Sequence, residues 1–124
     1  DTFVPAGCQG AIGVQIRADD GQVAALVAPL NDHVTERRTT AERAFLATLF
    51  AGCQVPIAVH AVAHGQTLQV TGVLAALGGN PTIKDQIIGP MDDAPALGDT
   101  LAARILANGG AELMDRIRAE LENI

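Results

Sequence analysis

At Val55 the hydrophobic period changes from that of a helix to that of a strand, and no other feature restricts the possible folds so strongly. Upstream, Ala41, Ala44, Phe45 and Leu49 recur at helical spacing until Gly52 stops the run. Downstream, Val55, Ile57, Val59 and Ala61 fall on one side, and Ala58, His60, Val62 and His64 on the other. Gly65-Gln66 supplies a turn, and Leu68, Val70, Gly72 and Leu74 continue the alternation. Gly78-Gly79-Asn80-Pro81 is a second turn signal, with a third strand expected over 82–89. Two tight turns between consecutive strands favour antiparallel pairing, because parallel neighbours need a long crossover.

Helical periodicity returns afterwards. Leu97, Leu101 and Ile105 share a face until Asn108-Gly109-Gly110, and Leu113, Met114, Ile117, Leu121 and Ile124 make a last stripe. Before the strands, Thr39-x-x-Glu42 has the form of a capping box, so a helix is expected to begin at Thr39. The order helix, three strands, helix, helix predicts an α+β domain over 33–124: a small three-stranded antiparallel sheet with helices packed on one face.

Residues 1–32 have a different character. Ile12, Val14 and Ile16 alternate over 11–17 as in a strand, among Gly7, Gly10 and Gly13. Asp19-Asp20-Gly21 offers a helix start, Val23, Leu26, Val27 and Leu30 follow at helical spacing, and Pro29 is expected to end that helix. Asn31-Asp32-His33 has the composition of a hinge. This strand–helix piece is expected to belong to a neighbouring domain. The opening Asp1-Thr2-Phe3-Val4-Pro5 suggests chain already under way, hence a piece of a longer polypeptide.

Composition narrows the functional classes. Hydrophobic residues make up 48% of the 124, but aromatics only 2%, so the core must be built from Ala, Val, Leu and Ile. A net charge of −6 provides no basic field for nucleic acid or an anionic membrane, and the few rings provide no stacking platform for single strands. No apolar run approaches a membrane span. Two cysteines, Cys8 and Cys53, without a CxxC pair or histidines at zinc spacing, point to a reducing compartment and to no structural metal. The expectation is a soluble, acidic, cytoplasmic protein.

Cys53 is the residue with most chemical promise. It stands in a small-residue turn, Ala51-Gly52-Cys53-Gln54, with a stiff Val55-Pro56 exit. Either it is a small apolar filler at a helix–strand junction, or it is a presented nucleophile whose carbon–sulfur bond can hold a group. His60 and His64 lie on the adjacent strand, but neither is marked as a catalytic base, which disfavours a cysteine hydrolase. Arg17 and Arg43 could each be a solvated charge or a bidentate carboxylate grip. Glu36-Arg37-Arg38 has the pattern of a solvated face. Gly7-x-x-Gly10-x-x-Gly13 is a weak phosphate-loop signal, since no helix opens directly behind it.

Several motifs together resemble one family. Pro5-Ala6-Gly7-Cys8-Gln9-Gly10-Ala11-Ile12-Gly13-Val14-Gln15-Ile16-Arg17 resembles the P-A-x-x-Q-G-x-L-G-[IV]-E-x-R segment of hydroxymethylbilane synthase, also called porphobilinogen deaminase. Leu30-Asn31-Asp32 is similar to its hinge, Thr40-Ala41-Glu42-Arg43-Ala44 to its T-A-E-R-A helix start, and Gly52-Cys53-Gln54-Val55-Pro56-Ile57 to its G-G-C-Q-V-P-I loop. The motifs occur in the family's order and spacing over essentially the whole chain.

The resemblance implies a transferase of tetrapyrrole and haem biosynthesis. Such an enzyme joins four porphobilinogens, with loss of ammonia, on a dipyrromethane primer held by a cysteine thioether. Carried over, Cys53 is the primer's anchor, and Arg43, Arg17 and Gln9 match positions near the cofactor cleft. Residues 1–32 become the end of domain two, the segment returning to domain one, and the hinge; 33–124 becomes domain three. The family's catalytic aspartate lies in domain one, so no catalytic residue is expected here and this piece alone is expected to be inactive. The parent is expected to be a monomer, while the piece has orphaned surface through which it could self-associate. Three departures stand out: Gln15 and Phe50 replace acids, and Ala51 replaces a glycine. The alternative, from a different class, is a free-standing α+β interaction module in which Cys53 is packing.

Overall fold

A computed structural model describes residues 3–49 and 54–124. A short helix, α1 (Gly21–Val27), runs into a single 3-10 turn, Ala28–Leu30, and is followed by the long helix α2 (His33–Leu49). Three strands come next, β1 (Ile57–His64), β2 (Thr67–Ala75) and β3 (Thr82–Pro90), and then α3 (Ala94–Ile105) and α4 (Ala111–Glu122). The strands form one antiparallel meander in the order β1-β2-β3, with Val59 opposite Gly72 and Gly72 opposite Asp85. The expected α+β architecture is present, with α2 and α3 packed against the sheet and against each other.

The alternation in β1 and β2 places Val59, Ala61, Leu68, Val70 and Leu74 in the core, facing Phe45, Leu101 and Ile105. Phe45 is completely buried, whereas Phe3 is 87% exposed. Among the described residues the core is therefore aliphatic with one ring at its centre. Removing that ring would leave a cavity costing about 3–5 kcal/mol. Helices α2 and α3 cross at Gly98, where an added Cβ would stand 2.2 Å from the Ala41 carbonyl oxygen. Between α3 and α4 the helical path breaks at Asn108 and Gly109, whose φ is +97°. The break falls at the Asn-Gly-Gly signal, as expected from the sequence.

Helix α2 begins earlier than expected. The Asp32 carboxylate accepts hydrogen bonds from the Val34 and Thr35 amides at 3.0 and 3.2 Å, so Asp32 acts as the cap and His33 opens the helix. Thr39 lies inside, its hydroxyl donating to the Thr35 and Glu36 carbonyls. No capping box forms, and Glu42 is released for another use.

Residues 11–17 carry the alternating pattern yet pair with no strand among the described residues. Ile12 is 94% exposed and Val14 61%. Helix α1 buries no residue. A strand needs a partner for its backbone as well as a pattern in its side chains, and none is offered here. Among the described residues, no helix is long and apolar enough to cross a membrane.

Candidate functional site

The Cys53 segment is bracketed by the end of α2 at Leu49 and the start of β1 at Ile57. Cys53 itself, with Phe50, Ala51 and Gly52, lies outside the described residues. The exit side is well fixed. The Ile57 amide donates to the Val55 carbonyl at 2.8 Å, closing a tight turn around Pro56. The Pro56 carbonyl accepts from the Ala75 amide at 3.0 Å, and Val55 packs against the core. Gln54 is exposed. The Val-Pro exit is thus tied to the far end of β2, so the chain before it starts from a fixed point.

On α2, ten residues before the cysteine, Arg43 is exposed and makes no ion pair among the described residues. It lines a cavity of about 350 Å³ together with Cys8, Ile12, Asn31, Thr35 and Thr39. Gln9, also exposed, lines an adjoining space of about 240 Å³ with Arg38 and Glu42. Both spaces share Cys8, Ala11, Thr35 and Thr39, so Arg43 and Gln9 flank one surface over the first half of α2. Arg17 lines neither; its guanidinium pairs in the open with Asp19 at 3.3 Å.

Glu42 is the residue that sequence reasoning passed over, treating it as a cap partner. Only 4% exposed, it accepts hydrogen bonds from the backbone amides of Cys8 and Ala61, the latter at 2.8 Å. The His60 Nδ1 stands 3.7 Å from the same carboxylate. A signal for this burial was available: Glu42, Phe45 and Leu49 fall at i, i+3 and i+7, the core stripe of α2. Arg38 works beside it, donating from Nε to the Ala61 carbonyl at 2.6 Å.

The Cys8 thiol lies 3.9 Å from the Thr39 carbonyl. Burial pushes its pKa upward, the nearby Glu42 charge adds to this, and Arg43 opposes it in part. A thiol held protonated in this way is a poor nucleophile at neutral pH.

Residues 36–107 match a family model described as "Porphobilinogen deaminase, C-terminal domain". The chain belongs to the porphobilinogen deaminase family. A porphobilinogen deaminase of Synechococcus elongatus is 44% identical over 111 residues, covering 90% of this chain and 35% of the relative. One from Syntrophotalea carbinolica is 43% identical over 122 residues, 98% of this chain and 38% of the relative. A third, from Maridesulfovibrio salexigens, is 40% identical over 116 residues. The chain therefore spans a little over a third of the length of the porphobilinogen deaminases it matches. The family match runs from the first turns of α2 through α3 and includes the cysteine segment.

Proposed function

We propose that this chain is the primer-carrying portion of a cytoplasmic porphobilinogen deaminase, with Cys53 holding a dipyrromethane through a thioether. The observation that carries this is Gly52-Cys53-Gln54-Val55-Pro56-Ile57 standing at a helix–strand junction inside the family match. The residues around the junction suit such a group at one point. Pyrroles of this kind bear acetate and propionate arms, and Arg43 is an exposed guanidinium without a carboxylate partner among the described residues. Gln9 adds an exposed amide on the same surface, and Arg17 joins the set only if it releases Asp19.

A dipyrromethane held there supplies the pyrrole terminus to which porphobilinogen units are joined with release of ammonia. The chain's own residues do three things. Cys53 fixes one end covalently, Arg43 neutralises carboxylate charge, and the Val55-Pro56 turn holds the base of the loop still. Residues 33–124 act as the attachment domain, and the part of 1–32 that leaves its surface connects it to the rest of the enzyme. The catalytic acid belongs to the remainder of the parent, so the 124 residues alone turn over no porphobilinogen.

Intact mass of the full-length parent is the test. The wild type should carry the extra mass of two linked pyrrole units and react with Ehrlich's reagent, and Cys53→Ala should abolish both. Equal adduct mass in the two proteins would remove Cys53 from the proposal.

A further inference from the structure

Strand β1 is an edge of the sheet, and an edge strand exposes a row of unpaired amides and carbonyls. Here three groups in the middle of that row find partners from two other places. The Val59 amide donates to the Pro5 carbonyl at 3.1 Å. Two residues on, the Ala61 amide donates to Glu42 and the Ala61 carbonyl accepts from Arg38. Glu42 has a second carboxylate oxygen, and that oxygen takes the Cys8 amide. One buried carboxylate therefore joins the edge of β1 to the N-terminal segment, while Pro5 makes the parallel link two residues upstream on the same edge.

Packing follows the hydrogen bonds. Gly7 lies so close to α2 and β1 that an added Cβ would stand 2.6 Å from Leu46 Cδ1 and 3.1 Å from Val59 Cγ1. Immediately afterwards the backbone turns away, with φ of +62° at Cys8 and +81° at Gly10, and Ile12 and Val14 lie in the open. The change from held to unheld chain takes place within four residues.

We infer that residues 3–8 are an integral edge piece of the sheet domain and that Glu42 is the positioning residue that fastens them to β1. The division between this domain and its neighbours then falls after Cys8, and the chain returns to the domain at the Asp32 cap. Any displacement of the polypeptide ahead of residue 3 is passed to β1, the strand that begins four residues beyond Cys53. This coupling does not depend on what Cys53 carries.

Hydrogen exchange on the 124-residue chain tests the inference amide by amide. In the wild type the Cys8, Val59 and Ala61 amides should exchange at least about tenfold more slowly than those of Gly13 and Val14, which have no partner among the described residues. Glu42→Gln presents an NH2 group to one of the two amide donors and should strip protection from Cys8 or Ala61 beyond any change in α3. Gly7→Val leaves Glu42 intact but pushes the segment off, and should free the Cys8 and Val59 amides while Ala61 stays protected. A wild-type Cys8 amide exchanging as fast as Val14 would overturn the inference. So would variants in which Cys8 loses protection only in step with α3. Should Glu42→Gln fail to fold, the wild-type and Gly7→Val results decide the matter by themselves.

Discussion

At the scale of single residues, Cys8 is the cysteine whose surroundings the structure describes. It is half-buried beside a carboxylate, and its thiol is pushed above its ordinary pKa first by burial, then by Glu42. An acid whose folded pKa is raised contributes stability that is complete below its unfolded pKa and lost as pH rises through the folded value. Two outcomes follow for a Cys53→Ala variant, in which Cys8 is the sole thiol. Its alkylation by iodoacetamide should reach half-maximal rate at a more alkaline pH than a free cysteine peptide. Stability should also decline on the alkaline side of the ordinary thiol range. A pH–rate midpoint equal to the peptide's would show that the Glu42 carboxylate and the burial do not act on this thiol. Cys53 lies outside the described residues, and the proposal that it is the functional thiol rests on its small-residue segment and its motif. Glu42 was hidden by a rival pattern, because an acid three residues after a threonine imitates a cap.

Elements form here by side-chain pattern, but each is kept only where its backbone finds partners. Strands β1 and β2 were legible residue by residue because one face is buried, so a shift of one position would turn Leu68, Val70 and Leu74 outward. Edge strand β3 was legible from its turn, and Arg104 ties it to α3 through the Asp85 carboxylate at 2.8 Å. Residues 11–17 show the converse, a strand pattern without a ladder partner among the described residues. The α2 start was misplaced because Asp32, the true cap, sat in what resembled a hinge. The α2–α3 crossing was not legible at all, since it depends on a single missing methyl group at Gly98. Gly98→Ala should therefore cost about 3 kcal/mol, the upper end for overpacking, because backbone atoms of α2 stand in the way. Gly13→Ala, with open space around it, should stay within about 0.5 kcal/mol. Urea midpoints of the two variants measure this directly; equal shifts would mean that the crossing can relax and is not set by Gly98.

For the whole molecule, stability and connection are carried by separate stretches of chain. The fully buried large side chains all lie between Phe45 and Ile117, and the excursion from Ala11 to Leu30 buries none. Local opening in that excursion breaks short-range hydrogen bonds, such as Val23 amide to Asp20, and exposes no core. Trypsin should therefore cut first at Arg17, whose side chain is 81% exposed in a stretch without regular structure. Arg37, Arg38 and Arg43 sit on α2 and should resist until the domain opens globally. Cutting at Arg17 breaks no core contact, but it makes the hold on the N-terminal peptide non-covalent and so dependent on concentration. The N-terminal peptide should nevertheless stay bound, because Pro5 and Cys8 remain fastened to Val59 and Glu42. Size-exclusion chromatography followed by intact mass of the nicked protein separates the possibilities. Early cutting within α2 would mean that the helix opens independently of the core, and release of the peptide with an otherwise intact domain would mean that its attachment is too weak to transmit movement to β1.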